Sequence, residues 1–117
     1  MKKKPEVNLK GFKVFCAECE KWRKLLASNF DITYKTDDIP EMATAEYTLG
    51  SGCAIITMSN NHTHHPSYEI RKTALEEIMH LALAEYSNLL DPYYANDYIM
   101  LHEHNLINKI KSILVTK

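Results

Sequence analysis

Between the polar stretch "HTHHPS" and the turn-rich "DPYYAND" runs a segment, Tyr68 to Leu89, that contains neither Gly nor Pro and whose apolar residues recur at helical spacing. A run of that length predicts one long helix, and in a chain of 117 residues the rest of the fold has to be built around it. Leu75, Ile78, Met79, Leu81, Ala82 and Leu83 occupy one arc, which predicts a buried face. Ser67 is placed to cap the helix, with Glu69 adding favourable charge in the first turn. Pro92 stops it, and Asp97 is placed to cap a last helix over about Tyr98 to Val115. That helix carries Ile99, Leu106, Ile107, Ile110, Ile113 and Leu114 on one side.

Upstream, Phe12, Phe15, Cys19, Trp22 and Leu26 stand three and four apart, the stripe of an amphipathic helix that begins after Gly11 and ends at Ser28 and Asn29. Three strands are predicted in "DITYKTDDIP", "TAEYTLGS" and "GCAIITMS", the last two joined through a Gly-Ser-Gly turn. The expected fold class is α+β: an N-terminal helix, a small antiparallel sheet of about three strands, then two helices. No repeat and no long linker interrupts the pattern, so residues 1–117 are read as a single domain, with residues 1–9 expected to be flexible.

A formal charge of −1 gives little electrostatic reason to bind a phosphate backbone, so nucleic acid is not an expected partner. "MKKKPE" is basic but has no apolar region behind it, and no run approaches the roughly 18 apolar residues of a membrane span. The expected location is the cytoplasm. Cys16, Cys19 and Cys53 are then expected as thiols. Cys16 and Cys19 form half of a zinc-site spacing, which His62, His64 and His65 could complete, but the second ligand pair of a closed zinc site is missing. Two half-buried thiols on a helix face, and a solvated histidine loop, are the plainer expectation.

Chemistry concentrates on the long helix. At about 100° per residue, Glu76, His80 and Glu77 fall at roughly 0°, 40° and 100°, a single arc opposite the apolar one. On the last helix Glu103 lies in the middle of the apolar stripe, where a carboxylate needs a cation, a hydrogen-bond network, a metal or a proton. Residues four apart on a helix put two ligands on one side of a metal, and a carboxylate between them can deprotonate bound water. "EEIMH" offers that spacing, with Glu76 and His80 as ligands and Glu77 as general base. Glu103 or His104 could complete the ligand set.

"RKTALEEIMHLALAEY" followed by "LHEHNLINKI" resembles the small zincin-like metallopeptidases of bacteriophages, whose segment reads Thr-Ala-Leu-His-Glu-x-x-His-Leu-Leu-Leu ahead of a downstream Glu-His helix. The "AEYTL" and "AIITMS" segments and the N-terminal helix with its Trp extend the likeness over about Phe12 to Leu114. The resemblance implies a zincin-like fold and a metal-dependent peptidase acting on a protein or peptide. It implies Glu77 as the catalytic glutamate, His80 as a metal ligand, Glu76 in the place of the family's first histidine, and Glu103 as the downstream ligand, with His104 as second choice. Zinc is the implied metal. A Glu76, His80, Glu103 shell carries net negative charge, which weakens the ion as a Lewis acid and lets other divalent metals compete.

Two other readings follow from the same residues. The altered first ligand suits a non-catalytic, metal-poor interaction protein on the same scaffold, encoded by a phage or prophage and binding a host protein. A purely structural reading makes Glu76, Glu77 and His80 an exposed helix face and pairs Glu103 with Lys109, Lys111 or Arg71.

Overall fold

A computed structural model describes residues 6–115. Helix α1 (Leu9–Leu26) is followed by strands β1 (Asp31–Asp37), β2 (Ala43–Thr48) and β3 (Cys53–Ser59). A single 3-10 turn (His62–His64) leads into α2 (Ser67–Leu90), and α3 (Asn96–Leu114) closes the chain. The α+β class holds, with three α-helices, the short 3-10 turn and one small sheet among the described residues.

The sheet is mixed, which corrects the antiparallel expectation. Its order is β1-β3-β2, with β3 parallel to β1 and antiparallel to β2. Alternation along a strand reports which face is buried and carries no information about the partner's direction, so the strand pattern could not separate the two cases. Register aligns three rows on one face: Ile32, Ala54 and Tyr47; Tyr34, Ile56 and Ala45; Thr36, Met58 and Ala43. Ala54, Ile56 and Met58 are buried there, and Ile55 on the opposite face is exposed. The Gly-Ser-Gly turn lies where expected, between β2 and β3, with Gly52 at φ +69°, a conformation that side chains disfavour.

Helix α1 begins three residues before the expected start and carries Gly11 inside it. Asn8 caps it, accepting from the Lys10 amide through its side chain, while its own amide donates to Thr63 Oγ1. The glycine answers a packing demand: a Cβ at residue 11 would overlap the carbonyl oxygen of Thr63. Residues 1–5 of the segment expected to be flexible lie outside the described residues, and Asn8 and Leu9 belong to the start of α1.

Phe15, Cys19 and Trp22 of α1 pack with Ile70, Ala74, Leu75, Ile78 and Leu81 of α2 over the sheet to form the core. Two capping expectations are corrected. Ser67 is the first residue of α2 behind Pro66, and Asp97 lies inside the first turn of α3 behind Ala95; neither N-cap position has a side-chain hydrogen bond. Asp97 and Glu69 still place negative charge near the positive ends of their helices. Helix α3 lies against α2 through Ile99 and Ile107, which brings the His80 and Glu103 stretches face to face. No helix among the described residues is long and apolar enough to cross a membrane.

Candidate metal centre

Glu76, Glu77 and His80 lie in the middle of α2, opposite α3 and below β2. Among the described residues, Glu76, His80 and His104 form a group of three side chains able to hold a metal ion together, with ligand atoms within 4.8 Å of one another. Donor atoms around one tetrahedral zinc stand roughly 3.3 Å apart, so side-chain movements on the order of 1 Å close the set. Glu76 and His80 are half-buried and His104 is exposed, which leaves an open approach from solvent. The rings of His80 and His104 meet edge to face with centroids 5.1 Å apart.

Glu103 stands behind His80. Its Oε1 is 2.7 Å from His80 Nδ1, and its Oε2 accepts from Ser87 Oγ at 2.6 Å. Thus the carboxylate that the apolar stripe of α3 left needing a partner has two, and both come from α2. With Nδ1 donating to Glu103, the free lone pair of His80 is on Nε2. A metal-binding histidine is commonly oriented by such a carboxylate at its other nitrogen. The α3 member of the converging group is His104, the second choice for the ligand expected there, and the neighbouring Glu103 lies against His80 Nδ1.

Glu76 has a competing partner, because Lys111 Nζ donates to its Oε2 at 3.2 Å. Glu77 differs from both its neighbours. It is 7% exposed, and burial first, then the negative charge of Glu76, push its pKa up to about 8, with Lys111 pulling the other way. A carboxyl in that position is not part of a solvated helix face, so the purely structural reading fails for this residue.

Glu77 and His80 of α2 and Glu103 and His104 of α3 line a cleft of about 300 Å³ together with Ala43, Thr44, Ala45 and Tyr47 of β2. Because consecutive residues of β2 line it, the cleft follows the edge of that strand and not only one face of it. β2 is a terminal strand of the sheet.

Three residues of the site have no counterpart in the expectations above: Ser87, Tyr47 and the pairing of Lys111 with Glu76. Spacing carries a signal for two of them. Ser87 is seven residues after His80 and Lys111 seven after His104, so each lies two turns along the same helical face. Tyr47 depends on which strand ends at the edge, which no local pattern encodes. Tyr94 and Tyr98 line a separate apolar cleft with Leu83, Leu90 and Ile99.

The cysteines take no part. Cys19 is buried with its thiol toward the Ala74 carbonyl, Cys16 is half-buried, Cys53 is exposed, and all three are free. Burial raises the pKa of Cys19 well above that of a free thiol, consistent with a core residue. Compared with models of known protein families, with curated proteins and with solved structures, the chain matches none.

Proposed function

We propose that the protein is a metal-dependent peptidase of zincin-like character, with Glu76, His80 and His104 as metal ligands, Glu103 orienting His80, and Glu77 as general base. The observation that carries this reading is the convergence of Glu76, His80 and His104, the two histidines lining, with the buried Glu77, a cleft that runs along an edge strand.

The chain's own residues divide the work as follows. The edge of β2 offers backbone donors and acceptors to an extended peptide, which would bind as an added strand across the cleft. Tyr47 contributes a phenol to the same wall, its ring set edge to face against Phe30 with centroids 6.2 Å apart. A divalent cation held by Glu76, His80 and His104 would supply Lewis acidity to the scissile carbonyl and a positive charge that favours the ionised form of Glu77. Glu77 then takes the proton from water on its carboxylate and passes it to the leaving amine. Glu103, held by Ser87, fixes the His80 ring through Nδ1 and leaves Nε2 as the nitrogen free for a metal. Zinc suits two imidazoles and a carboxylate, and this set is one charge less negative than one containing both Glu76 and Glu103.

One observation favours a second reading. The Lys111 ammonium already neutralises Glu76, the residue that stands where the resembling phage family has a histidine, and this suits a non-catalytic, metal-poor protein that binds another protein through the same cleft. Elemental analysis after dialysis, combined with hydrolysis of an unfolded protein substrate, separates the two. The peptidase reading expects about one equivalent of metal, and turnover that is lost in Glu77→Gln while metal is kept. A wild type that neither retains metal nor gains activity with added zinc or manganese, and in which Glu76→His creates zinc binding, selects the second reading.

A further inference from the structure

The histidine loop ahead of α2 holds a second arrangement, remote in sequence from the α3 ligands and unused by the peptidase reading. His62 is 1% exposed, and its Nε2 lies 2.8 Å from Thr73 Oγ1. The Thr73 hydroxyl also lies 3.1 Å from the Glu69 carbonyl, to which it can donate. With that bond made, Thr73 accepts from the imidazole, which puts the proton of His62 on Nε2 and leaves a lone pair on Nδ1. That lone pair faces His65 Nδ1 at 3.1 Å, with the ring planes crossing at 63°.

Two nitrogens bound cis to one ion, each at 2.0–2.1 Å, stand roughly 2.9 Å apart in square or octahedral geometry and roughly 3.3 Å in tetrahedral geometry. The observed separation falls between these values, so the two rings hold the spacing of a chelate with little movement. His62 also has the hydrogen bond at its far nitrogen that metal-binding histidines use to fix tautomer and orientation. The pair borders a cavity of about 570 Å³ whose walls include Asp38, Glu41, Ser59 and Asn61, so oxygen-bearing side chains line the open side.

We propose that His62 and His65 form a second divalent-metal site, with both Nδ1 atoms as cis ligands and the remaining positions filled from the cavity. Imidazole ligands direct it toward zinc, copper or nickel, away from calcium and magnesium. The proton now lying between the rings moves to Nε2 of the exposed His65, so both rings stay neutral and no charge is buried. Metal here would pin the 3-10 turn to the start of α2.

Zinc titration of the full, tag-free chain, read by competition with a chromogenic chelator, tests this apart from the first centre. His80→Ala removes a ligand of the first centre, and that variant is expected to keep one equivalent of zinc. His65→Ala changes an exposed ring, so folding is retained, and is expected to weaken the second equivalent on the order of a hundredfold or more, as is the milder His65→Phe. The double variant His65→Ala, His80→Ala is expected to bind none. The proposal is overturned if His80→Ala binds no zinc, or if His65→Ala matches wild type in stoichiometry and affinity.

Discussion

Lys111 Nζ reaches from α3 to Glu76 Oε2 at 3.2 Å, and so occupies the carboxylate that would otherwise be the negative member of a metal-ligand group. Ammonium and divalent cation compete for one oxygen pair. Lys111→Met, which keeps the apolar stem, is expected to tighten zinc binding about tenfold by removing the competitor. Chelator competition on wild type and variant at fixed pH measures this, and equal affinities would mean that the ion pair is irrelevant to the site.

Glu103→Gln separates orientation from ligation. If Glu103 acts through His80, the variant keeps metal stoichiometry and loses about 10- to 100-fold in affinity, because the ring loses its charged partner at Nδ1. His104→Ala, in contrast, removes a ligand and is expected to lower stoichiometry. The opposite ranking would return Glu103 to the ligand set.

Glu77 governs how stability depends on pH in the metal-free protein. Its folded pKa is about 8, against 4.5 for an ordinary glutamate. Between those values the unfolded chain releases a proton that the folded chain keeps, so the unfolded state binds fewer protons and this group lowers stability as pH rises. The loss begins near pH 4.5, grows to about pH 8 and is then constant. Glu77→Gln is expected to unfold at higher denaturant concentration than wild type at pH 8 and to lose most of that advantage at pH 4. Urea titrations at the two pH values measure it.

Gly11→Ala tests the contact between α1 and the loop ahead of α2. In an exposed helix interior, alanine stabilises by about 1 kcal/mol relative to glycine. Here the added Cβ meets the Thr63 carbonyl oxygen, and moving backbone aside costs on the order of 2 kcal/mol or more. A lower urea midpoint with an unchanged slope is expected, and a higher midpoint would remove the packing explanation.

The same glycine shows where sequence reasoning stops. Periodicity located all three long helices within a few residues, because Phe15, Cys19, Trp22, Ile78, Leu81 and Ile107 had to face inward wherever the helices lay. Gly11 read as a helix boundary because a local pattern cannot reveal a carbonyl arriving from residue 63. Glu103 was legible as a carboxylate in need of a partner. Which of Glu103 and His104 points at the ligand group was not, since the two are about 100° apart on α3 and the choice depends on how that helix is rotated against α2. Ser67 and Asp97 have the right chemistry for caps but lie one and two positions inside their helices, displaced by Pro66 and Ala95.

The strand that comes last in the chain, Cys53–Ser59, lies in the centre of the sheet. β1 and β2 are neighbours in sequence yet share no ladder, because each is hydrogen-bonded to β3. A nascent chain leaving the ribosome therefore exposes two strands with nothing to join until the third emerges and inserts between them. Translation arrested at the Leu49–Gly52 turn would leave open strand edges of the kind that chaperones recognise, because both the β2–β3 hairpin and the parallel β1–β3 ladder wait on β3.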